Sequence, residues 1–301
     1  MGMVSLAANW LQPFFSFWVD ATLSVVVGVW VVSGAVPQRA RRPLLAILRV
    51  AAVVLGLGLA AYLSVATVAM TDTGPAEFAG YLWVVLTGTD FGAMAWVAAC
   101  AWIMLMFAAF PGYAALRAVD GLPLWALVLW GSGGALLAYA RAATGHAADH
   151  GFFSFAVLAH TVHVFAACLW VGAVLVSVRL LCFWKSWAPS EQSRLAHRLS
   201  SLATVVVPLA AASGIVNAFR ALGGADHVWE SPYLWVLLAK LVLVVVVVIL
   251  GSWNRWAWMV RLDAGRPGAL RGFANVLAVE AAVICGVLLL AAKLGTMATP
   301  T

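Results

Sequence analysis

Six histidines carry most of the chemistry this sequence could do. Four of them, His146, His150, His160 and His163, fall within the single stretch TGHAADHGFFSFAVLAHTVHVFAACLW. A neutral imidazole is a common metal ligand. His160 and His163 are three residues apart, so they share one face of a helix. His146 and His150 lie in the loop just before that helix and can fold over the same face. A cluster of this kind points to a metal ion or a metal-bearing cofactor. The plainer alternative is imidazoles that only hydrogen-bond between helices, with the loop histidines in water. Soft thioether and thiolate groups select Cu(I), whereas imidazole suits copper, zinc, iron and nickel. Met94 is a further candidate ligand, and Met70, Cys100, Met104 and Cys168 form a possible relay. Cys100 and Met104 are four residues apart and share a face. Met and Cys are also ordinary apolar fillers.

The elements that must position these groups are membrane helices. The chain has 301 residues, 65% of them hydrophobic and 9% charged. Its mean hydropathy is +1.02. A soluble domain typically carries about 25% charged residues. A membrane helix needs roughly 20 mostly apolar residues. Runs of that length predict spans over 13–36, 44–70, 89–110, 122–142, 154–182, 199–222, 234–259 and 273–295. The expected fold is therefore an all-α polytopic bundle of about eight transmembrane helices, forming one domain over residues 1–301.

Charge placement gives that bundle a direction. Odd-numbered connections hold Arg39, Arg41, Arg42, Arg117, Lys185, Arg194, Arg198, Arg261, Arg266 and Arg271. Even-numbered ones hold mainly Asp72, Glu77, Asp149, Asp226 and Glu230. Short loops rich in Lys and Arg stay cytoplasmic, so both termini are expected to be periplasmic. Five of the six histidines, His227 included, then lie at or near the outer face, and His197 lies inside. Sixteen tryptophans, many near span ends, suit an interfacial belt. The MGMVSLAANW start lacks a basic segment and does not read as a cleavable signal peptide. Single basic residues at helix ends do not form a nucleic-acid patch. The four cysteines show no CxxC pattern and imply no disulfide framework.

Ionisable groups inside spans are costly in lipid and mark ion pairs or pathways. Matching depths predict Asp20 paired with Lys240, and Arg255 paired with Glu280. The reading of these four is structural ion pairing, with proton coupling as the alternative. Asn217 is expected to hydrogen-bond between helices. Pro208 and Gly214 are candidate bends in the sixth span.

At these residues the chain resembles the copper-resistance D (CopD) family of inner-membrane proteins. The resemblance is strongest over residues 144–301. It runs through TGHA at 144–147 and HVFAACLWVG from His163 to Gly172. It continues through HRLSSLATVVVPLAAASGIVNAFRALG at 197–223, YLWVLLAKLVLV at 233–244, Asn254-Arg255 and VEAAV around Glu280. LTGTDFGAMAW at 86–96 is a weaker match, without the arginine that commonly follows the tryptophan in the family. WVGA replaces the more usual WVGG. The resemblance implies copper movement across the bacterial inner membrane into the cytoplasm, with a copper ion as cargo; a path of His outside and Met and Cys inside would suit Cu(I). It also implies a separate periplasmic copper-binding partner, and its histidine motif transfers to His146 and His163. His150 and His160 come from spacing alone. The sequence holds no GxxxxGK followed by Ser or Thr, so transport would be passive, ion-coupled or partner-driven, and no enzyme activity is expected. Two alternatives stand beside this: a haem b electron-transfer protein, with His146 pairing His160 or His163, and a membrane copper chaperone that does not transport.

Overall fold

The computed structural model describes residues 7–71, 76–110, 124–145, 151–223 and 228–300. Among the described residues the ordered elements are all helices and there is no strand. The helices are α1 Gln12–Ser33, α2 Gln38–Thr71, α3 Phe78–Gly88, α4 Asp90–Ala109, α5 Leu124–Ala143, α6 Phe155–Trp184, α7 Pro189–Leu222, α8 Pro232–Trp253 and α9 Ala269–Leu294. A π turn, Ala7–Leu11, leads into α1. A second, Asn254–Met259, carries α8 on to Asp263.

Local chemistry explains most of the starts. Proline stands in the first turn of α1, α7 and α8, where its missing N–H costs nothing. Thr89 caps α4 by accepting from the Gly92 amide at 3.0 Å. Ser154 caps α6 by accepting from the Val157 amide at 3.3 Å. The Glu191 carboxylate reaches back to the Ala188 amide at 2.8 Å at the start of α7. These contacts satisfy amides that the first helical turn leaves without partners.

Each of the eight expected spans falls on a helix. Seven are long and apolar enough to cross a membrane by length and composition. The remaining one, α5, has 20 residues. Gly131-Ser132-Gly133-Gly134 and Arg141 lower its hydropathy. The chain is thus a multi-pass membrane helix bundle.

Two features differ from the sequence expectation. Helices α2 and α7 each have 34 residues. At 1.5 Å per residue they measure about 51 Å, well beyond a ~30 Å hydrocarbon core. Their extra turns carry Arg39, Arg41 and Arg42, and Arg194, His197 and Arg198. Hydropathy registers only the apolar part of a helix that runs on into water. The second feature is α3, an 11-residue helix in a stretch assigned to no span. It exposes Tyr81, Trp83 and Val84. An apolar helix of this length is too short to cross and fits an interfacial segment.

The core is built on α1. Val19, Leu23, Val26, Val27 and Val32 are fully buried. Helix α1 crosses α6 at the Gly28–Gly172 contact. A Cβ on Gly172 would come 1.7 Å from the Ser24 carbonyl oxygen, and one on Gly28 would come 2.1 Å from the Gly172 carbonyl carbon. Without a hydrophobic drive inside lipid, such close backbone approach is what holds helices together. Helix α8 lies at the rim and buries only Leu234, Leu237 and Val247 between Pro232 and Trp253.

Candidate metal-binding face

His160 and His163 lie on α6, half-buried, with ring centroids 6.3 Å apart and planes inclined at 57°. His163 Nδ1 sits 2.8 Å from the Ala210 carbonyl oxygen of α7. A carbonyl only accepts, so Nδ1 is the donor. The neutral imidazole then keeps its lone pair on Nε2. Metal-ligating histidines are held in this way, with one nitrogen tied to an acceptor and the other left for the metal. Gly214 provides the seat for the ring, since a Cβ there would come 2.9 Å from His163 Cε1. Ser213 adds its hydroxyl to the same region, donating to the Leu209 carbonyl at 2.7 Å. Helix α7 continues through Gly214, a candidate bend, to Leu222.

On antiparallel α7, Asn217 stands one turn beyond Gly214, at the level of His160 on α6. Its buried Nδ2 has no hydrogen-bond partner among the described residues. The interhelical hydrogen bond expected of Asn217 is thus not made through Nδ2 among the described residues. Lys240 of α8 interacts electrostatically with both imidazoles, and Arg141 and Arg220 do so with His160.

The ion pairs differ from those expected. Asp20 pairs with Arg141 rather than Lys240, with Nε 3.0 Å from Oδ1 and Nη2 3.3 Å from Oδ2. Nη2 also donates to Ser16 Oγ at 2.6 Å. The guanidinium lies over the Tyr62 ring at 4.9 Å. A planar fork matches a carboxylate with two parallel bonds, which an ammonium cannot do. Ser16 and Asp20 are four residues apart on one face of α1, and that spacing was the available signal for a shared partner. The second expected pair is also replaced. Arg255 Nη1 donates to Thr204 Oγ1 at 2.6 Å, while Glu280 is buried with no ion pair among the described residues.

The thiol and thioether groups are scattered. Met94 is buried among Ala142, Ala143, Ala156 and Val157, one turn before His160. Cys168 is buried beside Ser24 of α1. Met70 and Cys100 are exposed, and Met104 is half-buried on the same outward face as Cys100. These residues do not line one continuous path. His146, His150 and His227 lie outside the described residues. Among the described residues no three His, Cys, Asp or Glu side chains converge closely enough to hold a metal. The haem alternative, with His146 pairing His160 or His163, therefore rests on a residue outside the described ones. His197 is elsewhere, with Nε2 3.0 Å from Asp263 Oδ2 at the exposed start of α7.

A multi-pass helical membrane protein with two imidazoles held between its helices is the class that fold and site define. Residues 193–294 match the family model described as copper resistance protein D. Residues 6–153 match that of the copper resistance protein D-like N-terminal domain. The chain belongs to the copper resistance protein D family. It is similar to the copper transport protein CutJ of Bacillus subtilis, 27% identical over 251 residues. That match covers 82% of this chain and 44% of the relative, so the chain spans less than half the relative's length. No solved structure matches it.

Proposed function

We propose that this chain is a copper carrier of the bacterial inner membrane that receives copper from the periplasm and passes it toward the cytoplasm. One observation carries the site: His163 is tied through Nδ1 to Ala210, which leaves Nε2 free beside the His160 ring. Family membership supports copper as the cargo. His146 and His150 would complete the ligand set from the preceding loop, and Met94 stands one turn away. Lys240 and Arg220 place positive charge around the pair. That surround penalises Cu(II) more than Cu(I), because repulsion scales with the charge of the ion. Cu(I) also accepts low coordination numbers. A separate periplasmic copper-binding protein would deliver the ion.

The test is copper uptake into metal-free proteoliposomes. The wild type is expected to take up copper, and His163→Ala and His160→Ala to take up far less. If both variants match the wild type, the site is wrong. If the wild type binds copper through His163 but moves none under any gradient, the protein is a non-transporting chaperone. An intense Soret band in the purified protein would replace both readings with haem.

A further inference from the structure

A second polar cluster lies in the half of the bundle nearer the basic connections. A cavity of about 320 Å³ is bounded by α6, α7, the end of α8, the π turn after it, and α9. It starts at Val207 and Pro208, just short of the Ala210 that holds His163, and runs to Ala196 near the start of α7.

Its wall contains two polar side chains that no described residue satisfies. Glu280 and Asn254 are each only 5% exposed. Both amide atoms of Asn254, Nδ2 and Oδ1, lack a partner among the described residues. No hydrogen bond or ion pair from a described residue reaches the Glu280 carboxylate. Asn254 begins the π turn, a geometry frequent at functional sites. Glycine at 251 keeps the approach to the carboxylate open, since a Cβ there would already stand 3.5 Å from Oε1.

A buried carboxylate with no cation beside it is costly in a low-dielectric setting. It must be neutralised by a bound cation or by a proton. The surroundings decide between them. Arg255 is the other ionisable group in the wall, held on Thr204. Its fixed positive charge repels a metal ion. Asp20 of α1, Cys168 of α6 and Lys240 of α8 lie outside the wall, as do Arg194 and His197 of α7 and Arg271 and Cys285 of α9. Arg198 of α7 is engaged by the Val31 carbonyl. One carboxylate and one amide are hard oxygen and nitrogen groups that suit a proton far better than soft Cu(I).

We propose that Glu280 is a proton-binding site, loaded and unloaded through this cavity, whose wall it shares with the unpartnered amide of Asn254. Asn254 carries both a donor, Nδ2, and an acceptor, Oδ1, and so suits either form of the carboxyl. The position just beyond His163 makes the proton the natural counter-ion for a moving copper ion. That use rests on the transport reading, whereas the proton site itself does not.

Infrared difference spectroscopy on the lipid-reconstituted chain, free of copper, tests it. The wild type should show a protonated-carboxyl C=O band that grows reversibly as pH falls and shifts in heavy water. Glu280→Gln should abolish that band. Glu280→Asp should keep it at a shifted frequency, which guards against a misfolded Gln variant. The proposal is overturned if no such band exists, if Glu280→Gln retains it, or if it ignores heavy water. Copper transport plays no part in the measurement, so its failure would leave this result standing.

Discussion

His163 owes its readiness to two groups that never touch a metal: the Ala210 carbonyl and the missing side chain of Gly214. Adding a methyl group at 214 forces the ring to move, because the Cβ would sit 2.9 Å from Cε1. Gly214→Ala should therefore weaken copper binding about 10-fold or more, as loss of an orienting partner does. Competition titration with a Cu(I) chelator would show it; unchanged affinity would mean that α7 does not orient the ring. The Asp20–Arg141 pair gives a second expectation. Asp20→Asn strands a guanidinium within the bundle and should cost about 3–5 kcal/mol. The double variant Asp20→Asn with Arg141→Gln should cost less than the sum of the two single changes. Thermal unfolding in detergent measures both. At this scale the sequence exposed the histidines through their spacing. It did not expose their seat, because which carbonyl and which glycine face His163 depends on how α6 and α7 slide along each other. The ion pairs failed for a related reason: depth in the membrane was legible, but direction around each helix was not, so Asp20 was assigned to Lys240 instead of Arg141.

Helices were the most legible part of the chain, since long apolar runs have few alternatives in lipid. What hydropathy missed was polar or short: the charged first turns of α2 and α7, and α3. Those charged turns have a structural use. Arg198 Nε donates to the Val31 carbonyl and Arg194 Nε to the Ala35 carbonyl, both 3.2 Å, at the end of α1. The last carbonyls of a helix have no partner within it. Arg198→Ala should cost roughly 1 kcal/mol by removing one such bond. The crossing of α1 and α6 is less forgiving. Gly172→Val would drive side-chain atoms into the Ser24 carbonyl and push α1 off α6. Overpacking typically costs about 1–3 kcal/mol, and the upper end applies here because the obstacle is backbone. A sharp fall in monodisperse yield on size-exclusion chromatography is the expected outcome. A Gly172→Val protein as stable as the wild type would mean that the two helices do not cross there. WVGA keeps the glycine this contact requires, Gly172, and relaxes only the position after it.

Over the whole molecule, charge and topology constrain each other. With α5 counted beside the seven long apolar helices, eight crossings return the chain to its starting side and put both termini in one compartment. The basic groups that follow α1, α6 and α8 then share the other one, and the structure draws several of them together. Arg39 of α2 meets Glu191 of α7, and Ser193 and His197 of α7 meet Asp263 after α8. One polar end of the bundle is thus assembled from three connections distant in sequence. Because Lys and Arg resist translocation, this end should face the cytoplasm. Single cysteines in place of Arg266 and Thr299, introduced into a variant lacking the four native ones, test the arrangement. In intact spheroplasts a membrane-impermeant maleimide should label position 299 and spare 266. Inside-out vesicles should give the reverse. Labelling of both positions from one side would mean that α9, the one helix between them, does not cross. Labelling of 266 alone in spheroplasts would invert the bundle and set the histidine pair near the cytoplasm, turning the proposed receiver of periplasmic copper into an exporter.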